Sequence, residues 1–154
     1  MKYLVVALLS ISVLAAEELT QKEAASIIWK FEKENKKKDD AKALLQQIYE
    51  SRVKLELAVK RIDEDFAKAH EVYSEKRTAY INDKTDENKE AYYTELNKMT
   101  KLLITKSKGN EEVADLYKAF VGVVKKYQQT IAAKLQDEEK TQYLAACKVA
   151  NKKY

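Results

Sequence analysis

Residues that interrupt helices and residues that carry reactive chemistry are both scarce in this 154-residue chain. It contains no proline, two glycines, one cysteine and one histidine. Because proline and glycine break helices, their scarcity favours long helical segments over a sheet with many turns. One cysteine excludes an internal disulfide framework, so helix packing or association of chains must hold the fold together. The thiol of Cys147 is expected either to pack as a small apolar group or to join two chains.

The same scarcity argues against catalysis and against a metal centre. His70 is preceded by Ala67 and Phe66 at three and four positions, so the Glu-x-x-His pair of di-iron helical bundles is absent. Nothing in the spacing brings His70 and Cys147 together as base and nucleophile. The oxygen-rich stretch 82–90 lacks the glycine and the final glutamate of an EF-hand loop. Turn formation and capping of the next helix account for its polar residues. The sequence predicts no enzyme, no cofactor and no metal site, with weak cation binding at 82–90 as an open alternative.

The balance of charge bears on the partners of the chain. It carries 29 Lys and Arg residues against 25 Asp and Glu residues. Its only basic run, Lys36 to Lys38, is followed at once by Asp39 and Asp40. Nucleic-acid-binding domains normally concentrate basic charge on one face, so no nucleic-acid partner is predicted.

The N-terminal segment has the organisation of a signal peptide. Lys2 precedes an apolar run from Leu4 to Leu14, and Val13 and Ala15 occupy the −3 and −1 positions of a cleavage site. The run is too short to span a bilayer of about 30 Å. We expect residues 1–15 to be a signal peptide, with a retained anchor as the alternative. An extracellular protein without a transmembrane segment is predicted.

The central part of the chain carries the clearest structural pattern. Apolar residues recur at alternating steps of four and three from Ala41 to Tyr80, and only Arg52 and Lys76 interrupt this seam. Such a repeat places one apolar stripe along a single continuous helix of about 60 Å, and a second helix must cover the stripe. The seam consists of Ala41, Leu45, Ile48, Leu55, Val59, Ile62, Phe66, Ala69, Tyr73 and Tyr80.

Capping signals predict further helices on both sides of this segment. Thr20 to Glu23 is a capping box, and the helix it starts should fade near Asn35. The turn residues 82–86 should open a helix that runs to Lys106. The pair Gly109-Asn110 should end it and start the next one, because glycine suits the left-handed position after a helix.

The chain after Lys134 departs from the preceding pattern. Apolar residues no longer follow the earlier phase, and the acidic group 137–139 offers a new cap. This indicates either a bend or a fresh terminal helix, and a bend is preferred. Residues 16–154 are therefore predicted to form a single all-α domain, an elongated up-and-down helical bundle with one long heptad-patterned helix.

Aromatic residues suggest where a ligand could bind. Several of the ten tyrosines occupy seam positions where leucine or isoleucine would pack more simply. A tyrosine has an apolar ring and a polar tip, which suits a wet core or a ligand cavity. Ordinary core packing is the alternative explanation. The candidate ligand-binding residues are Trp29, Phe66, Tyr73, Phe120 and Tyr127.

Two short segments resemble secreted nematode proteins. Asp65 to Tyr80, with Ala67-Lys68-Ala69-His70-Glu71, resembles the charged central helix of the SXP/RAL antigen family. Asp137 to Leu144, with Cys147-Lys148 beyond, is similar to the end of a nematode polyprotein lipid-binding allergen unit. The resemblance implies an extracellular, non-enzymatic binder of fatty acids or other lipids, or alternatively of cations, that is antigenic to a host.

Two functions follow as hypotheses. In the first, a secreted protein carries a fatty acid or other apolar ligand between its amphipathic helices. In the second, a coiled-coil interaction or structural module pairs through the 41–80 helix, either with a second copy of itself or with another helical protein.

Overall fold

The computed structural model describes residues 19–152, and these fold as an all-α helical bundle. The described residues form α1 (Gln21–Asn35), α2 (Asp39–Ile62), α3 (Glu64–Asn82), α4 (Asp86–Ser107), a short 3₁₀-helix (Glu111–Val113), α5 (Ala114–Ala132) and α6 (Asp137–Asn151). The prediction of an all-α bundle is confirmed. The predicted signal peptide lies outside the described residues. No helix between residues 19 and 152 combines the length and the apolar character needed to cross a membrane.

Most helix boundaries follow from local capping. At the start of α1 the Thr20 hydroxyl accepts a hydrogen bond from the backbone of Glu23, and the Glu23 carboxylate accepts one from the backbone of Thr20. Thr85 caps α4 in the predicted turn. Gly109 has φ +79°, and Asn110 caps the 3₁₀-helix that follows, as its sequence predicts. These three signals are short-range, so they could be predicted without knowledge of the packing.

The predicted continuous helix over 41–80 is in fact two helices that fold back against each other. Asp63 leaves helical conformation, and its carboxylate accepts a hydrogen bond of 2.8 Å from the backbone of Phe66 and pairs with Lys106 at 2.7 Å. Nε2 of His70 lies 3.9 Å from Oε2 of Glu56, whereas a straight helix would separate these residues by about 21 Å. The seam spacing continues unbroken through the turn, so periodicity alone gave no sign of it.

The C-terminal part of the chain also differs from the prediction. The residues after Lys134 form a separate helix, α6, and the preferred bend was wrong. Gln136 and Glu139 make a capping box at its start. The new helix packs along α1, where the Gln21 side chain donates a 2.7 Å hydrogen bond to the carbonyl of Val149. The change of apolar phase therefore marks a change of packing partner.

Two hydrophobic cores follow one another along α2 and α5. The first core lies between α1, α2, α5 and α6 and contains Phe31, Ala41, Leu44, Tyr127, Ile131, Ala132, Tyr143 and Cys147. The second core lies between α2, α3, α4, the 3₁₀-helix and α5 and contains Leu55, Val59, Phe66, Met99, Leu103, Val113 and Phe120. Ile48 packs against both cores. Since the start of α2 meets the end of α5, these two helices run antiparallel and form the spine of the bundle.

Candidate functional site

The five predicted ligand-binding residues do not meet in one place. Phe66 and Phe120 are buried in the second core, and Tyr73 packs at its edge. Tyr127 belongs to the first core. The Trp29 side chain is 62% exposed on α1, with the Lys33 ammonium 5.0 Å from its ring centroid. The structure therefore brings three of the five residues together and leaves the other two apart.

Two open depressions mark the described surface. One, of about 540 Å³, lies on α3 and is lined by Ser74, Glu75, Thr78, Ala79 and Asn82. The other, of about 300 Å³, lies between α2 and α5 and is lined by Gln47, Glu50, Ser51, Lys54, Leu116, Ala119 and Val123. None of the five predicted residues lines either depression. Both are open to solvent and lined by more polar than apolar residues, unlike the enclosed pockets that usually hold small molecules.

A carboxyl group lies at the edge of the first core, among tyrosines. Oε1 of Glu32 accepts a 3.1 Å hydrogen bond from the hydroxyl of Tyr143, which is fully buried. Burial raises the pKa of Glu32, and the Tyr143 hydrogen bond opposes that rise. Burial and the charge of the nearby Glu32 raise the pKa of Tyr127. Its hydroxyl lies outside hydrogen-bond geometry. This cluster joins α1, α5 and α6.

The single cysteine belongs to the same core. Cys147 is a free thiol with 3% of its surface exposed, and burial raises its pKa to about 11. A thiol that stays protonated and covered is a weak nucleophile and is poorly placed to bridge two chains. The packing favours the apolar role over the intermolecular disulfide, the two roles that the sequence left open.

A polar junction joins α2, α3 and α4 beside the second core. The Arg52 guanidinium donates to Oε1 of Glu56 at 2.6 Å and to the Thr100 hydroxyl at 3.0 Å. His70 approaches the same carboxylate from α3, and its ring lies 6.1 Å from those of Phe66 and Tyr73. Sequence reasoning missed this junction. Its only signal was that Arg52, which interrupts the seam, has Glu56 four residues later.

Within residues 19–152, the buried residues of the α3–α4 hairpin lie only at its base. Between Phe66 and Met99, no residue is buried. We call residues 72–95, the part around the Asp83–Thr85 turn, the arm. Its two helices meet through tyrosine rings, since the Tyr92 ring lies 5.9 Å from that of Tyr73, 5.5 Å from that of Tyr80 and 5.0 Å from that of Tyr93.

The outer surface of the arm is partly apolar. Val72 is 41% exposed, Ile81 57% and Tyr93 48%. Within the hairpin, burial beside Tyr92 raises the pKa of Tyr73 to about 12, and a tyrosine is neutral at physiological pH with or without this shift. A neutral phenol is compatible with contact against another protein surface, where tyrosine is enriched. The arm lies within the longest stretch of the described chain without a buried residue, residues 67–98.

Neither the search for metal-binding groups nor the comparison with known proteins identifies a specific function. Across residues 19–152, no group of three or more His, Cys, Asp or Glu side chains is arranged to hold a metal ion. No protein-family model, curated protein or solved structure matches the chain. The resemblance to nematode antigens therefore stays a prediction, and the arm is the candidate site on physical grounds.

Proposed function

We propose that this protein is an exported, non-enzymatic interaction module that binds a helical protein surface through its arm. The observation that carries the proposal is the lack of any buried residue between Phe66 and Met99, although both helices of the hairpin are long and continuous. The apolar N-terminal segment of the sequence supports export.

Two helices packed only against each other leave part of their apolar surface in water. Helices in proteins gain most of their stability from tertiary packing of an amphipathic face. At the base of the hairpin α2, the 3₁₀-helix and α5 supply that packing. Along the arm, the contacts among the described residues leave no side chain buried. Val72 and Ile81 are nine residues apart and therefore lie on opposite sides of α3, so a helix from a binding partner would cover Tyr93 together with only one of them.

The packing of the two cores gives the carrier hypothesis less support than the interaction module. It requires a cavity between helices, but Phe66 and Phe120 fill the second core and Tyr127 lies in the first. A carrier would have to open one of these cores before an acyl chain could enter, which costs the packing of fully buried side chains. Displacement of a fluorescent fatty acid by oleate remains the direct test of this hypothesis.

Site-specific photo-crosslinking tests the arm directly. A photoreactive phenylalanine analogue replaces Tyr93 in the secreted protein, and a matched variant carries it at Tyr49, which is 58% exposed on α2 away from the arm. After irradiation in the native secretion, we expect a discrete adduct from position 93 and none from position 49. The mass of the adduct identifies the class of partner.

The opposite pattern would reject the proposal. If neither position gives an adduct and the purified monomer binds the fatty-acid probe saturably and reversibly, the carrier hypothesis replaces the interaction module. Equal adducts from both positions would indicate non-specific contact and would also reject a dedicated arm.

A further inference from the structure

The balance of charge along α4 and its flanking residues changes around Tyr93. The N-terminal part of this segment, residues 83–95, has five carboxylates and two lysines, whereas residues 96–108 have four lysines and no carboxylate. Some of these charges are already paired, since Lys98 binds Glu95 at 2.6 Å and Lys106 binds Asp63. Lys84 and Lys89 lie among the carboxylates, so residues 83–95 carry mixed charge with an acidic excess, whereas residues 96–108 carry only positive charge.

Five exposed residues of α4 share a face. They are Asp86, Glu90, Tyr93, Asn97 and Lys101. At 100° per residue they fall within an arc of about 80°, with Tyr93 near the middle of their span along the axis. The two acids lie on its N-terminal side, and the amide and the ammonium lie on its C-terminal side. We call this set the α4 stripe.

We propose that the occupant of the arm is a second copy of this chain, and that the two α4 stripes, which begin in the arm and extend beyond it to Lys101, pair antiparallel about a two-fold axis near Tyr93. The inference rests on the proposed role of the arm and names its partner. A two-fold interface requires a surface that complements itself under reversal. The α4 stripe meets this requirement because its acidic half faces its basic half when one copy is turned around.

The spacing of the stripe supports this register. Asp86 lies about 10 Å and Lys101 about 12 Å from Tyr93 along the helix, on opposite sides. Antiparallel pairing therefore places Lys101 beside the partner's Asp86 and Asn97 beside the partner's Glu90. The Tyr93 rings would meet at the axis, each supported by its own Tyr92 ring at 5.0 Å. The helix dipole explains acids in the first turn of α4, but it does not explain Lys101 well before the last turn.

The decisive experiment measures the mass of the full secreted chain by sedimentation equilibrium over a wide range of concentration. We expect a reversible monomer–dimer equilibrium that weakens with added salt, because the paired charges are exposed to solvent. Lys101→Glu should raise the dimer Kd about tenfold or more, since each substitution acts twice across the axis. Combining it with Asp86→Lys should return the Kd to within about threefold of wild type.

A disulfide probe tests the position of the axis. In a Cys147→Ala background, Tyr93→Cys should form an intermolecular disulfide on mild oxidation, because a bridge needs Cα atoms within about 7 Å. Tyr49→Cys in the same background is the matched control and should remain monomeric.

Each outcome separates this inference from the proposed function. A chain that stays monomeric at all concentrations, or a dimer that the charge exchange does not rescue, overturns the paired stripe. If position 93 then gives a photo-adduct whose mass is not twice that of the chain, the arm still binds a partner and only the second copy is wrong. If position 93 gives no adduct, the proposed function itself fails.

Discussion

The base and the arm of the α3–α4 hairpin belong to the same two helices but are built in different ways. At the base, Phe66, Met99 and Leu103 are buried against α2, the 3₁₀-helix and α5. Along the arm, tyrosine rings meet one another and remain partly in water. The difference shows that an apolar repeat predicts which face of a helix needs to be buried, but not whether another part of the same chain buries it.

The largest expected contrast is between matched aromatic deletions in the two regions. Phe66→Ala should destabilise the fold by about 3–5 kcal/mol, because it leaves a cavity in a closed core. Tyr80→Ala on the arm should cost about 1 kcal/mol or less, since its ring is only partly covered. Urea unfolding of both variants measures the difference. Equal costs would mean that the arm is packed as firmly as the base.

The turn at Asp63 provides the next largest effect. Asp63→Ala removes both the cap of α3 and the pairing with Lys106, so the melting temperature should fall by several degrees. Asp65→Ala, whose side chain is 78% exposed, should leave it nearly unchanged. Thermal unfolding followed by circular dichroism distinguishes the two variants.

The pH dependence of this turn has a defined sign. The Lys106 hydrogen bond and the Phe66 backbone lower the pKa of Asp63 below its ordinary 3.8. Its stabilising contribution is therefore present above that ordinary value and is lost as the pH falls through the lower folded value. An acid titration in which the Asp63→Ala variant loses as much stability as wild type would contradict this assignment.

The first core should respond to pH in the opposite direction. Because burial raises the pKa of Glu32 above its ordinary 4.5, its contribution to stability is full below 4.5 and is lost as the pH rises through the folded value. Glu32→Gln keeps a hydrogen-bond acceptor for Tyr143 without the charge. It should match or exceed wild-type stability at neutral pH by about 1 kcal/mol or less and should flatten the pH profile. Chemical denaturation at several pH values checks both statements.

Two surface substitutions should have the smallest effects. Trp29→Ala should change stability by less than about 0.5 kcal/mol, because the indole is largely exposed. Its fluorescence should be quenched readily by iodide, and a protected emission would contradict the exposed position. Ile62→Asp should cost less than about 1 kcal/mol, since Ile62 is 40% exposed at the turn and is not in the core.

The candidate site could be predicted only in part. The tyrosines on the seams indicated a partly wet environment, and Tyr73, Tyr80 and Tyr92 occupy one in the arm. Local sequence could not show that Trp29 and Tyr127 lie apart from Phe66, because the core in which a residue lies depends on which helices pack together. The Glu32–Tyr143 contact joins residues 111 positions apart, so no short pattern could have identified it.

The sequence by itself determined the all-α character, the caps at Thr20, Thr85 and Asn110, and the faces that seek cover. These features depend on interactions within a few residues, so they can be predicted from the local sequence. Only the tertiary structure decided that the 41–80 seam turns back at Asp63, that α6 packs on α1, and that no residue of the arm is buried by the described part of the chain. Those outcomes depend on contacts between distant segments, and a turn that preserves the heptad phase is invisible to periodicity.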